Sequence, residues 1–346
     1  MNVVPPAEKL TPKDFATDQE VRWCPGCGDY AILKAVLKTL SDLEAKPEQT
    51  VFVSGIGCAA RFPYYVETYG FHTIHGRAPA VATGVKLANP ELDVWVVSGD
   101  GDALSIGGNH LLHLLRRNVD VQFLLFNNEI YGLTKGQYSP TSHRATRSPS
   151  SPGGSLEQPV SATSFALGAG GRFVARALDT AQARLPEVLK RAHAHQGTSF
   201  VEIFQNCIVY NDGVHAAFAD RSVAAEMQVL VEHGAPLIFG KDRDKGLRLR
   251  PGSLALEAVK LGEDGIGEAD ILVHDETNRT LASMLAAMEP PHMPVALGVL
   301  YCDPGPSYDR EVAAQIADAK SHAAKAGTNG SLNAIMRAGN TWTVKA

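Results

Sequence analysis

A carboxylate and a carboxamide, Asp100 and Asn128, close two apolar segments and stand 28 positions apart. Oxygen donors without sulfur suit Mg2+, which fills its octahedron with water and phosphate oxygens. Gly99 and Gly101 flank the acid in "SGDGDAL", predicting close backbone approach to a diphosphate and positive φ. The second set of chemical residues is sulfur. Cys24 and Cys27 form a CxxC within "VRWCPGCGDY", Cys58 ends "TVFVSGIGC", and Cys207 ends "TSFVEIFQNC". Four thiolates from separated loops are the donor set of a [4Fe–4S] cluster. Structural Zn2+ also takes four cysteines, though more often as two CxxC pairs. Cys302, in "YCDPGPSYD", reads as an ordinary thiol.

These residues need a frame that brings distant segments to one edge. "DVWVVSGDGD" and "VDVQFLLFNN" are continuous apolar runs separated by the helical pattern "GGNHLLHLLRRN". Strand, helix, strand in that order, with apolar strands, predicts an α/β fold: a mostly parallel sheet covered by helices on both faces. Strand–helix–strand spacing then puts Asp100 and Asn128 on the same sheet edge, where open parallel sheets bind ligands. Further helices are expected at "YAILKAVLKTLSDL", "APAVATGVKLANP", 161–168, 181–195, 219–233 and 278–289. Further strands are expected at "TVFVSGIGC", "RFVARAL", "TSFVEIFQN" and "VALGVLY", with a charged turn at "GKDRDKGLRLR". Pro5, Pro6 and Pro12 predict an extended arm over 1–20. Residues 21–215 read as one ligand-binding domain. Residues 216–346 read as a C-terminal extension that packs on that domain or on a partner. The Ser-, Pro- and Gly-rich stretch 139–157 reads as a long loop, functional or mobile.

Bulk properties narrow the classes. The chain is 346 residues long, 45% hydrophobic and 20% charged, enough to bury a large core. A formal net charge of −5 argues against a general nucleic-acid binder. No apolar run reaches bilayer length and the first residues lack a signal-peptide core, so no membrane association is expected. Five cysteines, an odd number, fit a reducing cytoplasm better than a disulfide framework.

The GDG turn followed by NN, with strand and helix between, resembles the thiamine diphosphate motif. By that resemblance Asp100 and Asn128 bind Mg2+ through their side chains and Ile130 through its backbone oxygen. Together with "WCPGCGDY", "GIGCAARFP", "HGRAPAVATGVKLANP", "NNEIYGLTKGQYSPTS" and "FQNC", the chain is similar to β subunits of 2-oxoacid:ferredoxin oxidoreductases, over residues 20–215. Within the family "LTKGQYSPTS" and the longer C-terminal region look most like the 2-oxoglutarate enzymes. The resemblance implies a thiamine-diphosphate-binding fold carrying thiamine diphosphate, Mg2+ and a [4Fe–4S] cluster held by Cys24, Cys27, Cys58 and Cys207. It implies cofactor contacts from Gly57, His75, Gly99, Gly101, Asp102, Gly132 and Leu133. The expected reaction is oxidative decarboxylation of a 2-oxoacid with coenzyme A, run forwards or as a carboxylation, with electrons leaving one at a time to ferredoxin. The motifs account for the diphosphate-binding half alone. An α subunit, or a fused γ–α chain, is therefore expected to complete the site in an (αβ)2 heterotetramer. Asn206 precedes Cys207 where relatives often have proline, which makes Cys207 the least typical ligand.

Single residues carry further expectations. Arg61 could clamp a substrate carboxylate with paired hydrogen bonds, and Leu133 and Lys135 occupy positions tied in the family to substrate fit. His75 and Arg77 could meet the cofactor or be satisfied structural groups. His110 and His113, one turn apart among leucines, read as non-ligands, and Arg144 and Arg147 as solvated loop residues rather than a coenzyme A site. Rival readings remain: pyruvate or another 2-oxoacid as substrate, a cluster-free thiamine diphosphate enzyme half, and a zinc-stabilised non-catalytic subunit.

Overall fold

The computed structural model describes residues 9–325, 336–340 and 342–344. Its centre is an eight-stranded sheet. Numbered along the chain, the sheet strands are β1 Thr50–Ser54, β2 Tyr69–His72, β3 Asp93–Gly99, β4 Gln122–Asn127, β5 Phe173–Leu178, β6 Ser199–Phe204, β7 Gln228–Val231 and β8 Val295–Cys302. Their spatial order is β2-β1-β3-β4-β6-β5-β8-β7, and every pairing is parallel except β5 with β8.

Each central strand is apolar on both sides because each side meets a helical layer. On β3, Val94 and Val96 enter one core while Trp95 and Val97 enter the other; on β4, Phe123 and Leu125 alternate with Leu124 and Phe126 in the same way. The first face is covered by α2 Ala78–Ala88, α4 Gly108–Arg117, α5 Ala162–Gly168 and α7 Arg279–Ala286, with α3 Asp100–Leu104 opening the GDG turn. The second face is covered by α1 Asp29–Asp42 and α6 Leu185–Ala194. The expected α/β architecture, a mostly parallel sheet covered by helices on both faces, is therefore present.

Several local expectations fail. The helix expected at 219–233 is instead two single turns, Ala216–Ala219 and Ala224–Met227, followed by β7. Val229 and Val231 are buried against the sheet, and pairing with β8 outweighs the weak helical pattern. The charged turn is a three-stranded meander, Ile238–Phe239, Lys245–Leu249 and Leu256–Lys260, anchored by the fully buried Leu247. Residues beyond 215 thus add two strands to the central sheet and share its core rather than forming a detached unit. A last helix, α8 Tyr308–Lys325, lies largely on the surface. Strand β2 was also unforeseen: it is a sheet edge whose four residues are all exposed.

Of the expected N-terminal arm, residues 1–8 lie outside the described residues. The following segment is anchored by Phe15, which is fully buried, and Ala16 bridges to Val66. The loop over 139–157 is likewise tied down at its start, where Ser139, Thr141 and Ser142 are buried.

Candidate active site

Because β1, β3, β4 and β6 are adjacent and parallel, their C-terminal ends form one rim. Register sets Gly99 beside Phe126 and Asn127 beside Phe204, so Asn128 and Gln205 emerge level with each other and Asp100 one residue below them. Two adjoining cavities open there. One, of about 100 Å³, is lined by Gly57, His75, Gly99, Asp100, Asn128 and Ile130, among others. The other, of about 190 Å³, is lined by all four candidate cluster cysteines. Cys58, Asn128, Gly132 and Leu133 belong to both walls.

The oxygen-lined cavity is held in place by hydrogen bonds. Asp100 is buried, and both side-chain bonds it accepts fall on Oδ2, from Ser139 at 2.5 Å and Thr141 at 2.6 Å. Burial pushes its carboxyl pKa up, against those hydroxyls. Among the described residues no lysine or arginine pairs with it. A buried carboxylate with that environment suits a cation. Asn128 keeps its amide oxygen toward Ile130 N (3.2 Å) and donates from Nδ2 to Gln205 Oε1 at 2.7 Å. A Cβ built on Gly99 or Gly57 would meet nothing within 4 Å, so both glycines face open space, as a diphosphate cradle needs. The donors fit Mg2+ and a diphosphate.

Other parts of the motif behave differently from expectation. Neither Gly99 (φ −77°) nor Gly101, inside α3, has positive φ; Gly57 does, at +115°. Gly101 is needed for space: a Cβ there would lie 2.2 Å from the Tyr131 ring, whose hydroxyl donates to Gly101 O at 3.0 Å. Asp102 lines the cavity, but its oxygens are already occupied. They accept from Ile56 N (3.1 Å), Gly76 N (2.7 Å), His75 Nδ1 (2.5 Å) and Ser98 Oγ (2.6 Å). It pins the loops after β1 and β2 to the turn after β3. His75 is held by that bond with its ring beside the cavity.

The sulfur-lined cavity is assembled from four segments. Trp23 packs edge-on against Tyr30 and Tyr65, and its indole N–H donates to Cys58 O at 2.7 Å, joining the CxxC turn to the end of β1. Gly28 N donates to Asn206 O at 3.1 Å, joining the same turn to the end of β6. A Cβ on Gly132 would lie 3.4 Å from Cys207 Sγ and 3.5 Å from Cys58 Sγ. Burial, reinforced by the Asp29 carboxylate, pushes the Cys27 thiol far up and the Cys58 thiol to about 12. Such thiols ionise when a metal displaces the proton. Asp29 itself is raised to about 7 by burial. Four cysteines around a cavity of this size fit an iron–sulfur cluster. Among the described residues, no group of three or more His, Cys, Asp or Glu is gathered tightly enough for one metal ion.

Arg61, Leu133 and Lys135 line the sulfur cavity, together with Arg22, which the sequence reading did not single out. Lys135 sits at φ +77°. Arg77 is the N-cap residue before α2 and lines neither cavity; His110 and His113 lie on α4, away from both. Arg144 and Arg147 are exposed. Cys302 ends β8, across the sheet from the rim, near His195. Unforeseen were Ser139 and Thr141, which hold Asp100, and Gln205, which holds Asn128. "YSPTS" carried the first two as an alternating pair of hydroxyls, and Gln205 stood at a strand end two residues before Cys207.

The rim is that of a thiamine diphosphate enzyme. Residues 55–203 match the family model described as thiamine pyrophosphate enzyme, C-terminal TPP binding domain. The chain is 49% identical over 336 residues to 2-oxoglutarate oxidoreductase subunit KorB of Mycobacterium tuberculosis strain H37Rv, covering 96% of this chain and 88% of that one. It is 48% identical over 204 residues to 2-oxoacid:ferredoxin oxidoreductase 1 subunit beta of Aeropyrum pernix, covering 59% and 64%. A chain of 2-oxoglutarate:ferredoxin oxidoreductase from Magnetococcus marinus, solved with 2-oxoglutarate, coenzyme A and succinyl-CoA bound, superposes with a TM-score of 0.74 at 31% identity. That match covers 96% of this chain and 97% of the other. This chain belongs to the β subunits of the 2-oxoacid:ferredoxin oxidoreductases.

Proposed function

We propose that the chain is the β subunit of an enzyme that oxidatively decarboxylates 2-oxoglutarate with coenzyme A, giving succinyl-CoA and CO2 and reducing ferredoxin. The observation that carries this reading is the shared wall between the oxygen-lined and sulfur-lined cavities. A decarboxylating centre and an electron acceptor would there be separated by a single layer of residues. Thiamine diphosphate, when bound, supplies the chemistry that breaks the bond to the carboxylate and holds the resulting electrons.

The chain's own residues bind and orient. Asp100, Asn128 and the Ile130 carbonyl would hold Mg2+ against the diphosphate, with Ser139, Thr141 and Gln205 fixing the first two. Cys24, Cys27, Cys58 and Cys207 would hold a [4Fe–4S] cluster. Arg22, Arg61 and Lys135 bring positive charge to the same cavity. That charge offsets the negative charge of a thiolate-ligated cluster and suits a substrate with two carboxylates. Pyruvate, with one carboxylate, would use less of it. An α or fused γ–α subunit would complete the cofactor site in an (αβ)2 assembly. No disulfide joins any of the five cysteines, which supports a reducing, cytoplasmic setting; no described helix is long and apolar enough to cross a membrane.

The test is an anaerobic assay of the α–β complex against a panel of 2-oxoacids with coenzyme A and a one-electron acceptor. The expected result is highest kcat/KM for 2-oxoglutarate and no turnover by the β chain alone. A clear preference for pyruvate would overturn the substrate; turnover by β alone would overturn the division of labour.

A further inference from the structure

One polar side chain on the rim reaches both cavities. Gln205 follows the last residue of β6 and is 1% exposed. Its backbone N–H donates to Asn127 O at 2.9 Å, which fixes where the side chain begins. Its amide nitrogen donates to Asn206 O at 2.7 Å and to Cys27 Sγ at 3.3 Å, and its amide oxygen accepts from Asn128 Nδ2 at 2.7 Å. A primary amide has two N–H bonds, and both are used.

The network also fixes which way each amide points. The Asn206 carbonyl can only accept, so Gln205 Nε2 must face it and Oε1 must face Asn128. Asn128 therefore has to offer Nδ2 to Gln205, which leaves its Oδ1 for Ile130 N–H and the oxygen-lined cavity. Were Asn128 reversed, two oxygens would confront each other across 2.7 Å and an NH2 group would face the cation. A buried amide without its partner is destabilised enough to make that reversal rare.

We propose that Gln205 is a positioning residue for both cofactor sites at once. It holds the Asn128 amide oxygen toward Mg2+ and donates a hydrogen bond to the Cys27 thiolate. The inference rests on the reading of Asn128 as a magnesium ligand and Cys27 as a cluster ligand. Outer-shell partners of this kind orient metal ligands, and hydrogen bonds to ligating sulfur help set a cluster's reduction potential by stabilising its more negative, reduced form. One side chain thus ties the affinity of one site to the potential of the other.

Two variants of the anaerobically purified α–β complex separate the two roles. Gln205→Leu removes all three side-chain bonds. The Mg2+ concentration for half-maximal thiamine diphosphate binding, read by equilibrium dialysis, should rise about tenfold. The cluster midpoint, read by titration followed by electron paramagnetic resonance, should move to a more negative value. Gln205→Glu keeps an oxygen for Asn128 Nδ2 but replaces the amide that donates to Cys27 and to the Asn206 carbonyl with a negative group. Its Mg2+ requirement should stay near wild type while its midpoint also moves negative. If the Leu variant fails to fold, the nearly isosteric Glu variant still reads the sulfur arm. A wild-type midpoint in both variants, or an unchanged Mg2+ requirement in Gln205→Leu, overturns the proposal. A wild-type complex without iron would overturn the cluster reading instead, and is seen before any variant is made.

Discussion

The two cavities on the rim share a wall yet are built in opposite ways. The oxygen-lined one comes mostly from a single crossover, β3 through α4 to β4, and its donors are oriented by neighbours that carry no metal. Asp100 is held by two hydroxyls, Asn128 by Gln205, and Asp102 by four donors. The sulfur-lined one draws on four segments, and burial pushes the Cys27 and Cys58 thiols still further from ionising. Preorganised oxygen against protonated sulfur means that the first site is ready before its ligand arrives. The second is completed by its metal, which has to expel the protons.

That contrast can be broken at either end. The largest effect is expected from Asp100→Ala, which removes a candidate ligand outright. Mg2+-dependent thiamine diphosphate binding should fall by more than about 100-fold, the upper end for loss of a mere outer-shell partner, while iron per complex stays at the wild-type level. Loss of both together would mean that the cavities are not independent. The converse variant, Cys58→Ser, should leave iron at background and abolish ferredoxin reduction, with cofactor binding changed only a few-fold. Cys302→Ser should leave iron content intact. A smaller effect is expected where the oxygen site borders packing. Gly101→Ala would drive a methyl into the Tyr131 ring, and overpacking of this kind destabilises by about 1–3 kcal/mol. Denaturant unfolding should register it, with weaker cofactor binding as Tyr131 shifts.

The smallest effect lies away from the rim and acts as the control. His195, buried against Phe173, has its pKa lowered by burial to about 4, below the ordinary 6.5. The folded chain therefore keeps it neutral where the unfolded chain binds a proton. The stability it preserves is complete above pH 6.5 and is lost as pH falls toward 4, by about 1.4 kcal/mol per unit. His195→Gln should flatten unfolding free energy between pH 6.5 and 5.5 by roughly that amount without altering iron content or cofactor binding. An unchanged slope would show that His195 is not the acid-sensitive group.

The rim was legible because its chemistry is written in short, separated motifs whose order fits one topology. Asp100 and Asn128 could be placed on one edge from strand–helix–strand spacing alone, whereas the four cysteines were joined to it by their places in a turn and after apolar runs together with the family resemblance. What the spacing could not reveal was the support beneath them: Ser139 and Thr141 reach Asp100 only after a chain reversal, and Gln205 meets Asn128 only across two paired strands. The GDG glycines depart from the expected positive φ for a similar reason. Gly101 is required by an aromatic ring that arrives from thirty positions away, not by backbone twist. Beyond residue 215 the signals were weaker. The helix expected over 219–233 runs through "MQVLV", whose valines favour a strand and find a partner in β8, while the charges of "GKDRDKGLRLR" hide the buried Leu247 that fixes the meander.

Among the described residues, strand β2 ends the sheet with one side of its backbone unpaired and with Tyr69 and Phe71 turned to solvent. A bare edge of that kind is a template on which another extended segment can add. Translated in excess of whatever covers it, the chain should precipitate rather than persist, so soluble yield should follow the dosage of its companion gene.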